Sequence, residues 1–146
     1  MAWVKEILND ENLKADIQIF YNNFGISGLK EALKFYADMQ QEYICRTKTS
    51  VTRIFIGDIY YLEILKHDIT VHTVHGVYHK YGTLNKELKV LAPYGFVRCH
   101  QSFIVSISKI KSIVHDDIIL VNGAKIHISK KHVKKIILEF SKRNSK

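Results

Sequence analysis

From about residue 46 onward the apolar residues of this chain come in short runs, each ended by a turn signal, and that spacing constrains the fold more than any other feature. Strand-like runs at 53–56 and 59–63 flank Gly57-Asp58, and runs at 69–74 and 77–81 flank His75-Gly76. Further along, 109–114 and 118–121 flank His115-Asp116-Asp117, and the strong hairpin pair Asn122-Gly123 leads into 124–128. A parallel neighbour needs a crossover of about a dozen residues or more, and these gaps are too short to hold one. The expected fold is therefore mainly β with helices, an α+β chain of small antiparallel sheets.

Two helices interrupt the strands. Residues 83–91 place Leu84, Leu88 and Leu91 on one side and stop at Pro93 and Gly95. After Ser129, a plausible cap, Val133, Ile136, Ile137 and Phe140 form the stripe of a C-terminal helix. Lys130, Lys131, Lys134 and Lys135 crowd its first turns, where the macrodipole favours negative charge, so they are poorly placed for stability alone. A bound phosphate would relieve the conflict.

Residues 1–45 read differently, as a helical segment. Leu13, Ile17, Phe20, Tyr21 and Phe24 make one helical stripe, Gly25 closes it, and Ser27 is a candidate cap for a second helix carrying Leu29, Ala32, Leu33, Tyr36 and Met39. Two such stripes cannot be buried by the pair alone, so the segment is read as a homodimerisation or capping element. A helix-turn-helix reading of Phe24-Gly25-Ile26-Ser27 fails on charge, because Glu31, Asp38 and Glu42 would face the groove.

Charge divides at the same place. Residues 1–45 carry four lysines against seven acids, a net of −3, whereas 46–146 carry eighteen basic against seven acidic residues, a net of +11. That density suits a polyanion, since each phosphate neutralised releases counterions. No apolar run approaches the ~20 residues a membrane span needs, and the N-terminus lacks the features of a signal peptide. A cytoplasmic protein with no membrane partner is expected. Cys45 and Cys99 are too few for a disulfide framework or a zinc site and read as free thiols.

The stretch Phe96-Val97-Arg98-Cys99-His100-Gln101-Ser102-Phe103-Ile104-Val105 sets Arg98, His100, Gln101 and Ser102 together between two apolar halves. Buried without partners each would cost free energy, so a polar bend facing something outside the core is the better reading. Gln101 can both donate and accept in a groove, and Ser102 with Lys134 suits phosphate oxygens. Arg98 has an alternative use, bracing the bend through backbone carbonyls or a carboxylate such as Glu63.

With these residues in place, 53–140 resembles a LytTR-type bacterial DNA-binding domain, the output module of many response regulators. The resemblance rests on Ile59-Tyr60-Tyr61-Leu62-Glu63, Tyr81-Gly82-Thr83-Leu84 with Glu87-Leu88, the Phe-x-Arg-x-His-x-Ser-Phe-Ile-Val run, Asn122-Gly123, and Ile128-Ser129-Lys130-Lys131. It implies a β-β-β arrangement of small antiparallel sheets over 46–146 that reads duplex DNA through loops. Base contacts are implied at Lys66-His67, at His100-Gln101-Ser102 and at Ser129-Lys130-Lys131; only the last two stand out without the resemblance. Ser106 occupies a position where the family commonly has Asn, and the loop at His67 is short. The helical residues ahead of the domain are too few for a receiver, so control by aspartyl phosphorylation within this chain is not expected.

The function expected is a sequence-specific regulator of promoter DNA, with no cofactor and no small-molecule substrate. Catalytic motifs are missing: there is no Gly-x-Ser-x-Gly, P-loop or paired carboxylate set. His72, His75 and His79 suggest a metal only if the hairpin turn sets His72 opposite His79 and the rings converge tetrahedrally, so no metal site is expected. The other class is a protein-interaction or RNA-binding module, for which Tyr60, Tyr61, Tyr78 and Tyr81 would have to share one face as a stacking platform.

Overall fold

The computed structural model describes residues 1–142. The chain divides into two compact units, Met1–Asp38 and the residues from Met39 onward.

The first unit is helical. Helix α1 covers Ala2–Asn9 and α2 covers Glu11–Met39, the latter running into the second unit by one residue. Asp10 starts α2 by accepting the Leu13 N–H at 2.9 Å, an N-cap arrangement. At Gly25 the expected break is present: φ of 70° takes the backbone out of helical geometry and back into a second helical stretch. Phe20 and Phe24 stack with centroids 4.7 Å apart. Otherwise the apolar stripes are open, with Ile19, Phe24, Ile26, Leu33 and Tyr36 all more than half exposed and only Gly28 of α2 buried.

The second unit carries ten strands: β1 (Glu42–Arg46), β2 (Val51–Phe55), β3 (Ile59–Leu65), β4 (Asp68–Thr73), β5 (Gly76–Tyr81), β6 (Phe96–His100), β7 (Phe103–Ser106), β8 (Ile110–Val114), β9 (Asp117–Leu120) and β10 (Lys125–His127). They form three antiparallel sheets, β1-β2, β5-β4-β3-β7-β6 and β10-β9-β8. Helix α3 (Leu84–Leu91) follows β5, and α4 (Val133–Lys142) closes the described chain. Thr83 caps α3 by accepting the Lys86 N–H.

The helical reading of 1–45 ends too late. Glu42–Arg46 is a strand whose Tyr43 and Cys45 are buried while Glu42, Ile44 and Arg46 are exposed, the two-residue alternation of a half-buried strand. Its partner β2 supplies Ile54 to the same interior.

The central five-stranded sheet has two cores, one on each face. Leu62, Ile69, Val71, Phe96 and Ile104 meet Tyr43, Ile54, Leu84 and Leu91 on one side. Cys99 and Val105 meet Ile118, Leu120, Ile126, Ile128 and Ile136 on the other. Ile104 and Val105 are adjacent in sequence yet belong to different cores, as the pleat demands. The second core draws on β3, β6 and β7 but on no residue of β4 or β5, where Val77 and Tyr81 are more than half exposed. Among the described residues no helix is long and apolar enough to cross a membrane.

Candidate nucleic-acid interface

The polar bend joins β6 to β7 through the two residues Gln101 and Ser102. Arg98 holds it: Nε donates to the His100 carbonyl at 3.1 Å and Nη2 to the Gln101 carbonyl at 2.6 Å. Nη1 donates to Asn85 Oδ1 of α3 at 2.6 Å, so the guanidinium is itself anchored. Backbone bracing is thus what Arg98 does here, and the alternative acceptor Glu63 is taken by His72 at 2.7 Å.

His100 closes the turn from within, its Nδ1 accepting the Ser102 N–H at 3.0 Å. An acceptor Nδ1 places the neutral ring's proton on Nε2, which is left over for another partner. The Ser102 carbonyl accepts from Ile64 N on β3, tying the bend to the neighbouring strand. A register shift between Arg98 and His100 sets His100 opposite Phe103 and brings their rings to 5.4 Å. Gln101 is exposed and its side-chain amide has no protein partner among the described residues.

Pairing of β3 with β7, Glu63 opposite Phe103, brings the β3–β4 turn to the same end of the sheet as the bend. That turn is Lys66-His67, both exposed, with Lys66 in the left-handed region at φ 59°. The His67 carbonyl accepts Gly82 N at 3.0 Å, fixing the turn to the residue that leads into α3.

The third segment is docked by one backbone bond, Ser129 N to Cys99 O at 3.0 Å. Ser129 does not cap a helix as its sequence position suggests. A 3-10 turn, Lys130–His132, precedes α4; the Ser129 carbonyl accepts His132 N, and the Ser129 hydroxyl is buried without a partner among the described residues. Ser129 therefore docks the segment through its backbone. Lys130, Lys131, Lys134 and Lys135 are exposed, and neither they nor Arg98 have a carboxylate partner among the described residues.

A cleft of about 410 Å3 opens where these parts meet, lined by Asn85, Leu88, Arg98, Gln101, Lys131 and His132. His132 is held below the usual histidine range, first by burial and then by the cations Lys131, Arg98 and Lys135 and the neighbouring His100. Neither Asn85 nor His132 is marked by any local pattern, because each acquires its place only when α3 and the 3-10 turn fold onto β6.

Behind the face, Glu87 of α3 is buried and accepts Tyr43 Oη at 2.5 Å and Lys80 Nζ at 2.8 Å, with Lys80 also over the Tyr43 ring. Burial, then the bond to Glu87, raises the Tyr43 pKa. Burial likewise pushes the Cys99 thiol up to about 12 and Cys45 to about 11, which keeps both protonated and unreactive at neutral pH.

The three hairpin histidines are separately engaged: His72 with Glu63, His75 with Asp58 and His79 with Thr70. The hairpin turn falls one residue earlier than expected, at Val74-His75, so His72 pairs across the strands with Val77 and not with His79. The tyrosine platform does not assemble either: Tyr60 and Tyr61 pack against one core and Tyr78 against the other.

Residues 49–139 match the LytTr DNA-binding domain family. Among solved structures, the chain is similar to one described as the LytTr DNA-binding domain of a methyl-accepting/DNA response regulator from Bacillus cereus, at 21% identity. The TM-score is 0.59, over 67% of this chain and 94% of that one. No curated protein matches the chain.

Proposed function

Because the chain belongs to the LytTr DNA-binding domain family, we propose that it is a transcriptional regulator that binds promoter DNA sequence-specifically, through loops at one end of its central sheet. The observation that carries this reading is the convergence of three segments distant in sequence. Lys66-His67, the braced bend at His100-Gln101-Ser102 and the turn around Lys130 come to one end of the sheet, where the cations lack carboxylate partners among the described residues. Such a surface is costly in self-repulsion and is relieved by a polyanion.

Roles divide by chemistry. Gln101, exposed on a pinned backbone, suits bidentate contact with a base edge. Lys66, Lys130, Lys131 and Lys134 suit phosphates, as do Ser102 Oγ and the free Nε2 of His100, while His67 sits beside them at the outer turn. The N-terminal unit, whose apolar stripes it does not itself bury, pairs with that of a second copy, which would place two domains on one duplex.

The test begins with selection of duplexes from a random library by the full chain. Gln101→Ala is expected to lose discrimination between the selected and random duplexes; Lys134→Ala is expected to weaken both and reduce the salt slope by about one. Failure to enrich any sequence refutes specific reading, and identical behaviour of the two variants refutes the division of roles.

A further inference from the structure

The cleft beside Gln101 is lined by two cations, Arg98 and Lys131, and by no carboxylate among the described residues. Arg98 enters from β6 and Lys131 from the 3-10 turn, with Lys135 close by on α4. Arg98 already donates once each from Nε, Nη1 and Nη2, but both terminal nitrogens keep a second N–H. The volume, about 410 Å3, is ample for a phosphodiester group.

His132 lines this space, and its position is fixed because His132 N donates to Ser129 O while Ser129 N donates to Cys99 O. The charged and titratable groups around it are Lys131 and Lys135 from its own segment and Arg98 and His100 from β6; α3 adds only the neutral Asn85 and Leu88 to the lining. A proton placed on this ring in the free protein is repelled from several directions. An anion in the cleft offsets that field and, at hydrogen-bond distance, gives the charged ring a direct acceptor.

We propose that the cleft seats a backbone phosphate of the duplex and that His132 joins the contact as imidazolium, so that binding DNA takes up a proton. This rests on the reading of the face as a duplex-DNA interface. The sign follows from linkage: the complex holds one proton more than the free chain at His132, so affinity rises as pH falls. The gain approaches about tenfold per pH unit while the ring is neutral in the free chain and charged in the complex. The chain carries other histidines, His67, His100 and His127 among them, so the contribution of His132 must be isolated by substitution.

Binding of the full chain to a selected duplex would be followed by anisotropy between about pH 8 and pH 6, alongside calorimetry in two buffers of different ionisation enthalpy to count protons. Wild type should take up more protons per complex than His132→Gln, and its affinity should climb several-fold more over the range. His132→Lys, charged throughout, should bind at the upper pH several-fold more tightly than wild type. Equal proton uptake by wild type and His132→Gln, or no gain from His132→Lys, overturns the proposal while leaving DNA binding intact. A chain that binds no duplex at any pH overturns the interface reading itself.

Discussion

Replacing Arg98 by Lys keeps the charge and removes the fork, which separates bracing from phosphate binding. Three bonds are at stake, to the carbonyls of His100 and Gln101 and to Asn85 Oδ1. Bonds from a charged donor are worth about 1.5–3 kcal/mol when buried, and about 1 kcal/mol each is the fair figure for these partly exposed ones. A single Nζ can replace one of the three, so about 2 kcal/mol of support for the bend is lost. The bonds from Ser102 N to His100 and from Ile64 N to Ser102 O survive the change and preserve part of the conformation. A specific complex must restore the rest at its own expense, which at 1.4 kcal/mol per decade lowers specific affinity by about five- to thirtyfold. Random duplex, held by charge alone, should bind as before, and the salt slope should not change. Anisotropy titrations of selected and random duplexes at several salt concentrations measure both quantities. If Arg98→Lys retains full discrimination, or weakens both duplexes equally, Arg98 is not a brace.

The buried carboxylate behind the face makes a second test. Lys80→Met strands Glu87 with only Tyr43 as donor and should cost about 3–5 kcal/mol, whereas the triple change Tyr43→Phe, Lys80→Met, Glu87→Leu removes every partner together and should unfold near wild type in urea. A triple variant as weak as Lys80→Met would show that the cost is packing and not an orphaned charge. Dimerisation through the helices predicts that light scattering on the full chain gives twice the monomer mass, and that Phe24→Glu with Leu33→Glu, both at open apolar positions, returns it to one. A wild-type chain that is monomeric at tens of micromolar refutes the pairing.

What the sequence disclosed is governed by range. The hairpins were legible because their signals are local: Asn122 Oδ1 accepts Ala124 N and Gly123 sits at φ 90°, as an Asn-Gly turn requires. The turn before β5 was misplaced by one residue because Gly76, at φ 139°, fits the first strand position as readily as the turn. Strand β1 was hidden because its alternation, Tyr43 and Cys45 in and Ile44 out, is only a few residues long and abuts a helical pattern. Ser129 stands where a helix cap belongs, but its backbone is committed to Cys99 and a 3-10 turn intervenes. The bend announced itself through an excess of polar residues, whereas Asn85 and His132 reach the site by contacts between segments that no local window contains.

That excess has a structural reason. A recognition helix arrives rigid, because its own backbone bonds fix the side chains it presents; a two-residue bend has no such ladder and must take its rigidity from side chains. Arg98 and His100 supply it, using a fork and a ring nitrogen to saturate the carbonyls of residues 100 and 101 and the N–H of 102. Ser102 O is satisfied by Ile64, so these four backbone groups have partners without help from the Gln101 side chain. The Gln101 amide is thereby released from local duty. A loop reader must carry more polar residues than it reads with, and residues that never touch a base then control discrimination. Asn85 extends the dependence to α3, whose Glu87 is locked in the core by Tyr43 and Lys80. On the proposed reading, the precision with which Gln101 would meet a base edge is accordingly a property of the packed domain and not of the bend alone.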